Sequence, residues 1–223
     1  DVDGDGLIDR VMYNGVDAPG PPTLEGKRHL RAELGIGNTT LVMGIGRLAS
    51  DKRWNWLIDA TADLAARGLD VTSVVFGEGK VRDDFEARIA AREVEDRFRL
   101  AGFRPDVEEW LGAADVLAHP SELEGLPNVV LEAMGRGVPV VSTRAGGLGE
   151  VVMSGEHVFL CDVGDYGGFV EGLERLVRDP LLRQRVGAAG LRHVRERHGW
   201  EPMVDEVETI LTDVIGRKET GDG

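Results

Sequence analysis

The sequence has one cysteine, few aromatic residues and a deficit of positive charge. Because Cys161 has no partner within the chain, an internal disulfide is excluded, and a reducing, cytoplasmic setting is expected. The chain has 26 Lys and Arg residues against 40 Asp and Glu residues, so its net charge is −14. Such a surface repels nucleic acid and anionic lipid at long range, and we therefore expect no nucleic-acid partner.

Long apolar runs are also lacking. None approaches the roughly 20 residues that a membrane-spanning helix requires, and the opening DVDGDGLIDR has no signal-peptide pattern. The 223 residues suffice for one large domain or two small ones with a real core. Because the first residue is not Met, a piece of a longer protein is one interpretation, and a natural half-enzyme is the alternative that stays open.

Short apolar segments rich in β-branched residues alternate with helical patterns. The predicted strands are 40–45, 71–76, 98–103, 114–119, 138–143 and 157–162. Helical periodicity covers 53–67, 81–92, 127–134, 167–179, 180–198 and 201–218. Continuously apolar strands separated by helices are typical of a parallel sheet covered on both faces. We therefore predict an α/β fold, a doubly wound, mostly parallel, Rossmann-like sheet with extra C-terminal helices.

The chain divides into three predicted parts. Residues 1–39 form an irregular N-terminal segment with a first strand at DRVMY and a Gly- and Pro-rich loop, APGPP. Residues 40–198 form the sheet domain, and 199–223 a C-terminal helix.

The acidic stretch DVDGDGLID is similar to a calcium-binding loop. Four acidic residues have the spacing of EF-hand ligands: Asp1, Asp3, Asp5 and Asp9. Gly6 has the position of the sharp turn in such a loop. However, Met12 occupies the position where a bidentate Glu is needed, and no helix pair flanks the loop. We interpret the stretch as a polar edge, and calcium binding stays an open alternative.

Three Gly-rich turns follow predicted strands. In MGIGRLASDK, Gly44, Gly46 and Ala49 have the G-x-G-x-x-A spacing of dinucleotide-binding turns. Arg47 and Lys52 add two cations beside a helix N-terminus, an arrangement that suits a diphosphate. The alternative is that both are solvated loop charges.

The other two turns are VVFGEGKV, which contains Gly77, and LAGFRPDV, which contains Phe103 and Arg104. Each alone is equally consistent with an ordinary tight turn. Because strand carboxyl ends form the ligand crevice of such sheets, the three turns together are expected to line one groove.

The segment HPSELEGLPNVVLEAM contains two glutamates, Glu124 and Glu132. Pro127 favours a helix start, which leaves backbone N–H groups near Leu126 and Asn128 free to face the crevice. Glu132 lies among aliphatic residues, where a carboxylate is costly unless it is bonded; paired ribose hydroxyls are one suitable partner. A carboxylate favoured by the helix dipole is the equally supported alternative.

Taken in order, these motifs give the chain a clear family resemblance. It resembles the C-terminal, donor-binding domain of GT-B-fold retaining glycosyltransferases, the glycosyl transferases group 1 or sucrose synthase-like family. The matching segments are YNGVD (13–17), GRLASDK (46–52), VVFGEG (74–79), LAGF (100–103), AADVLAHPSELEGLPNVVLEAMGRGVPVVST (113–143) and ERHGWEPMVDEVETIL (196–211).

The resemblance implies a role for each site residue. Arg47 and Lys52 would bind the diphosphate of a nucleoside-diphosphate sugar, Glu124 would face the sugar, and Glu132 would hold the ribose. Other positions would line the donor or allow close backbone approach: Gly46, Gly77, Phe103, Arg104, Gly125, Leu126, Pro127 and Asn128. No metal or other cofactor would be obligatory, because the nucleotide sugar is itself the donor substrate. We expect Arg47, Lys52, Glu124 and Glu132 to surround one pocket.

Two departures from the family pattern stand out. Arg53 follows Lys52 where the family often has Gly. The N-terminal acceptor-binding domain is also missing, and no motif around the chain's histidines replaces the histidine it usually supplies: His29, His119, His157, His193 and His198. That domain is the expected protein partner of helix 199–223, and any membrane association is expected to be peripheral and confined to the full enzyme.

Three other functions remain open from the sequence. One is a nucleotide-sugar epimerase or hydrolase on the same architecture. Another is a module that binds nucleotide without transferring sugar. An NAD-binding oxidoreductase is disfavoured, because the acidic residue expected about 20 positions after the first Gly-rich turn lacks a convincing match.

Overall fold

The structure, a computed structural model, describes residues 12–220, with side chains up to residue 212. Its strands are β1 (Thr40–Ile45), β2 (Val71–Phe76), β3 (Phe98–Gly102), β4 (Val116–His119), β5 (Val140–Thr143) and β6 (Phe159–Cys161). Its helices are α1 (Leu24–Glu33), α2 (Trp54–Ala66), α3 (Arg82–Ala91), α4 (Val107–Leu111), α5 (Asn128–Gly135), α6 (Leu148–Val151), α7 (Tyr166–Arg178), α8 (Pro180–Arg197) and α9 (Trp200–Thr220).

The strands form one sheet in the order β3-β2-β1-β4-β5-β6, and every pair is parallel. The chain builds outward from β1 in one direction, then returns to place β4 on the other side of β1. This order makes the sheet doubly wound, and the predicted Rossmann-like α/β fold is confirmed. The junction between β1 and β4 is the topological switch point.

Both faces of the sheet are buried, which explains why its strands read as continuous apolar runs. Along β1, Leu41 and Met43 point into one core and Val42 into the other. The first core packs against α4 and α5, and the second against α2, α3 and α7. At 0% exposure, Trp54 at the start of α2 anchors the second core beneath the end of β1.

Three helices lie outside the predicted pattern. α4 and α6 have five and four residues, too few for apolar periodicity to show. α1 contains no buried residue and is joined to the sheet by charge, because Lys27 and Arg31 contact Asp115 at 2.7 and 2.9 Å.

The N-terminal acidic stretch lies outside the described residues, as does most of the strand predicted at 9–13; Met12 and Tyr13 belong to no strand. Among the helices that are described, none combines the length and apolarity needed to cross a membrane.

Candidate functional site

The candidate site lies where β1 and β4 end. The loops that follow these neighbouring strands lead to helices on opposite faces of the sheet, and the divergence opens a crevice at the carboxyl edge. Lys52 stands in the loop after β1, in a 3₁₀ turn over Ser50–Lys52, and Glu124 stands in the loop after β4. The topology thus explains how residues 72 positions apart come together.

Lys52 Nζ and Glu124 Oε1 form an ion pair across the switch point, and each side chain is only 14% exposed. His119, the last residue of β4, places Nε2 3.0 Å from the same Oε1. Burial would raise the pKa of Glu124, but His119, Lys52 and Ser121 together lower it to about 2. Glu124 is therefore a carboxylate at neutral pH. The sequence position of His119 indicates only the end of a strand, but its side chain also lies against this carboxylate.

A cavity of about 280 Å³ lies beside this pair, at the ends of β1, β2 and β3. Five predicted site residues line it: Gly46, Arg47, Gly77, Phe103 and Arg104. The Arg47 side chain is 76% exposed and 3.8 Å from Asp51. A cation in that position is free to turn toward an anionic ligand.

Gly46 and Gly77 allow the first two loops to pack backbone against backbone. A Cβ at Gly77 would lie 1.9 Å from the Gly46 carbonyl oxygen, so a side chain cannot fit. Gly46 N donates to Phe76 O at 3.0 Å and Gly77 N donates to Gly102 O at 2.9 Å. The close approach at Gly77 is thus between two segments of the protein and not to a ligand. The two glycines that make it both line the cavity.

The guanidinium of Arg104 is engaged by other side chains of the protein. Its guanidinium donates to both Asp106 oxygens at 2.9 and 3.0 Å and lies 4.3 Å from the Trp110 ring centroid. The hydrogen bond from Arg104 lowers the pKa of Asp106 to about 2. Phe103, by contrast, is 72% exposed. At this turn the phenyl ring and the backbone are available to a ligand, whereas the guanidinium is already engaged.

Glu132 lines a second cavity, of about 350 Å³, together with Asn128, Glu108 and Arg136. Burial, followed by the charge of Glu108, raises the pKa of Glu132, while Arg136 opposes that rise. A carboxylate destabilised in this way gains from hydroxyl donors, which would favour its charged form.

The expectation that four side chains surround one pocket is wrong. Arg47 and Glu132 line different cavities, and Lys52 and Glu124 line neither. Helix α4, which lies outside the predicted pattern, separates the cavities, because Val107 faces the first and Glu108 the second. The cavities are neighbours rather than one space.

The α5 N-terminus borders the second cavity through Asn128. Pro127 is its N-cap residue and supplies no side-chain hydrogen bond, so the first N–H groups of α5 lack a side-chain cap. The loop before α5 is supported by the loop after β5, because Gly147 N donates to Gly125 O at 2.8 Å. A Cβ at Gly146 would lie 2.1 Å from that oxygen. Leu126 packs against the core on the α5 face.

Arg53, Glu122 and Gly146 belong to this region without any predicted role. Arg53 and Glu122 form an ion pair next to Lys52 and Glu124. Arg53 has φ 51° and ψ 36°, the left-handed conformation that its place at a family glycine would have indicated. The two adjacent glycines after β5, Gly146 and Gly147, are the sequence feature that could have indicated a close backbone approach here.

Within residues 12–212, no cluster of three or more His, Cys, Asp or Glu side chains has the arrangement of a metal site.

The sequence model of Glycosyl transferases group 1 matches residues 26–193. The chain belongs to this family. It is 36% identical over 171 residues to the lipopolysaccharide core biosynthesis glycosyltransferase LpsE of Rhizobium meliloti (strain 1021). That alignment covers 77% of this chain and 49% of LpsE. The chain thus spans about half the length of the curated relatives it matches.

Solved structures agree with the family assignment. Anabaena HepE in complex with UDP matches with a TM-score of 0.85 and 26% identity, over 92% of this chain and 57% of that one. The C-terminal domain of the Francisella tularensis group 1 glycosyl transferase LpcC matches in fold, with a TM-score of 0.75 and 24% identity. The match covers 83% of this chain and 100% of the LpcC domain. The resemblance to the C-terminal domain of a GT-B glycosyltransferase is therefore confirmed.

Proposed function

We propose that this chain is the donor-binding half of a retaining glycosyltransferase that takes a nucleoside-diphosphate sugar. The Lys52–Glu124 ion pair at the switch point is the observation that carries the proposal. The pair consists of a cation and a carboxylate side by side, largely buried, at the switch point, which is where doubly wound sheets usually bind their ligands. A sugar diphosphate needs this combination, a cation for its phosphates and an acceptor for its hydroxyls.

The two cavities suit the two ends of a nucleoside. We propose that the base occupies the cavity under Phe103, with contacts from its ring and from the backbone beside Gly77. The ribose hydroxyls would donate to Glu132 in the neighbouring cavity, which the uncapped α5 N-terminus also borders through Asn128. An extended donor would thus span both cavities, passing Val107 and Glu108 of α4.

The diphosphate would lie between Arg47, Lys52 and the α5 N-terminus. Cations and unpaired N–H groups stabilise the charge that develops on a departing diphosphate, usually the largest contribution to catalysis. Gly125, Leu126 and Pro127 would follow the sugar and phosphates through their backbone. In this proposal a phosphate oxygen of the leaving group takes the acceptor proton, and Glu124 positions the sugar instead of acting as a nucleophile.

UDP-glucose is the first donor to test. Anabaena HepE, 26% identical to this chain, has been crystallised in complex with UDP-glucose, and that structure matches with a TM-score of 0.83. We propose a uridine donor for this chain on the same fold. The proposed location is the cytoplasm, in accord with the single, buried Cys161, whose pKa burial raises to about 11.

A thermal-shift panel of UDP, GDP, ADP and their common sugars tests the proposal. A true donor at about 100 times its Kd stabilises the fold by roughly 2.7 kcal/mol, which is readily measured. Stabilisation by NAD alone, with no response to UDP or GDP, would overturn it. Incubating the stabilising donor without acceptor checks the alternative chemistry, since an epimer or free sugar would indicate an epimerase or hydrolase.

A second candidate, a module that binds nucleotide but transfers nothing, is favoured for the isolated chain by its length. It covers 49% of LpsE and 57% of HepE. Donor binding without transfer is the result that this candidate predicts for the chain alone. Transfer to an acceptor by the isolated chain would exclude it.

A further inference from the structure

The loops after β1 and β4 are joined by three adjacent contacts. Glu122 N donates to Asp51 O at 2.7 Å, Lys52 pairs with Glu124, and Arg53 pairs with Glu122. All three contacts join residues 51–53 to residues 122–124, and Glu122 takes part in two of them. Neither Arg53 nor Glu122 lines either cavity. Their ion pair is adjacent to the Lys52–Glu124 pair in both loops and is the more exposed of the two, at 39% and 35% against 14% and 14%.

The conformation that forms the Arg53–Glu122 pair costs more free energy than the ion pair contributes to stability. Arg53 is in the left-handed region at φ 51°, which costs an L-residue roughly 1–2 kcal/mol. Among the described residues its buried Nε finds no hydrogen-bond partner, a further cost. An ion pair whose side chains are 39% and 35% exposed contributes only about 0–1 kcal/mol. Because the cost exceeds the gain, a role other than stability is indicated.

That role follows from what a donor must do to the neighbouring pair. If Lys52 turns to a phosphate and Glu124 to a sugar hydroxyl, the ion pair between them is exchanged for ligand contacts. The link that holds the two loops at a fixed distance is then weakened at the moment of binding. Arg53 and Glu122 have no part in donor binding in the proposed function, so their contact is kept throughout.

We propose that Arg53 and Glu122 form a positioning clamp, which holds the loop after β1 against the loop after β4 so that Lys52 and Glu124 engage the same donor. Arg53 and Glu122 are positioning residues and touch no reacting atom. The inference rests on the proposed function, because it supposes that a nucleotide sugar replaces the Lys52–Glu124 pair.

The chain offers a matched control. Glu93 is the other residue besides Gly with positive φ in the described part of the chain, at φ 55°. Replacing it by glycine relieves the same backbone strain far from the switch point, after α3. Its presence also shows that a glutamate tolerates this conformation, which makes the charge-swapped double variant Arg53→Glu/Glu122→Arg a fair test.

The experiment measures the Kd for UDP and UDP-glucose and the unfolding midpoint of this chain and four variants. Arg53→Gly and Glu122→Gln are expected to raise the Kd for UDP-glucose roughly three- to tenfold, and that for UDP by less. Their midpoints stay within about 3 °C of wild type, since 1 kcal/mol corresponds to about 2–4 °C at this size. The charge swap restores affinity, and Glu93→Gly leaves it unchanged.

Wild-type affinity in both Arg53→Gly and Glu122→Gln would overturn the clamp, as would an equal loss for UDP and UDP-glucose that the swap fails to rescue. The titration of the Glu124 carboxyl, followed by ¹³C NMR without ligand, separates this inference from the proposed function. Glu122→Gln is expected to raise the pKa of Glu124, because Lys52 is held less closely. If wild type binds no nucleotide sugar, the proposed function fails, and an unchanged titration then overturns the clamp as well.

Discussion

Two side chains, Lys52 and His119, approach the same oxygen of Glu124. Lys52 Nζ pairs with Oε1, and His119 Nε2 lies 3.0 Å from the same atom. Lys52 comes from the loop after β1 and His119 from the end of β4, so the carboxylate joins the two sides of the switch point.

The two glutamates are predicted to divide the donor between them. Glu132→Ala removes the acceptor for the ribose and should weaken UDP and UDP-glucose alike, by about tenfold, the equivalent of one charge-assisted hydrogen bond. Glu124→Gln should weaken UDP-glucose more than UDP. Isothermal titration of both ligands measures the two ratios. Equal loss of UDP affinity in the two variants contradicts this division.

The ionisation of Glu124 is predicted to depend on Lys52. Its pKa of about 2 lies below the ordinary 4.5, so the stability it contributes is complete above pH 4.5 and is lost as pH falls toward 2. Lys52→Ala should raise that pKa, measured by carboxyl NMR titration. Lys27→Ala, which breaks the pair with Asp115 instead, is the control and should leave the Glu124 titration unchanged.

His198 is predicted to destabilise the fold in mild acid. Burial, followed by the charges of His193 and Arg197, lowers its pKa from 6.5 to about 4. The unfolded chain therefore binds more protons between pH 6.5 and 4, and stability falls as pH decreases through that window. A shift of this size corresponds to roughly 3 kcal/mol.

Urea unfolding at pH 7.5 and pH 4.5 measures the effect. His198→Phe should lose less stability between the two values than wild type does. His29→Asn is the matched control, because the His29 side chain is 75% exposed, and it should behave like wild type. An identical loss in wild type and His198→Phe would rule out His198 as the cause.

The contact between the first two Gly-rich loops is predicted to admit no side chain. Gly77→Ala would place a Cβ 1.9 Å from Gly46 O. We expect it to lower the free energy of unfolding by more than about 4 kcal/mol. Gly68→Ala, at φ +78° with nothing within 4 Å, should cost only about 1–2 kcal/mol. Equal losses in thermal denaturation would mean that the two loops separate easily.

The sheet could be predicted from the sequence because both of its faces are buried. The predicted strands at 40–45 and 71–76 coincide with β1 and β2, since continuous apolar runs between polar turns leave little choice. α1 could not be predicted, because it contains no buried residue and depends on contacts with Asp115, which is 84 positions from Arg31.

The sequence predicted which residues belong to the candidate site better than it predicted how they are arranged. The Gly-rich turns and the glutamates indicated which residues meet at the carboxyl edge. The sequence did not indicate α4, so the separation of Glu132 from Arg47 was missed. Arg104 shows the same limit. Asp106 and Trp110 are close to it in the sequence, but no spacing rule indicates that they engage its guanidinium.

The most direct test is a crystal structure of this chain with UDP-glucose. We predict that the diphosphate lies within hydrogen-bond distance of Lys52 and the α5 N-terminus, that the ribose hydroxyls contact Glu132 and that the glucose contacts Glu124. UDP-glucose bound away from the ends of β1 and β4, or bound there with Lys52 and Glu124 still paired to each other, would contradict it.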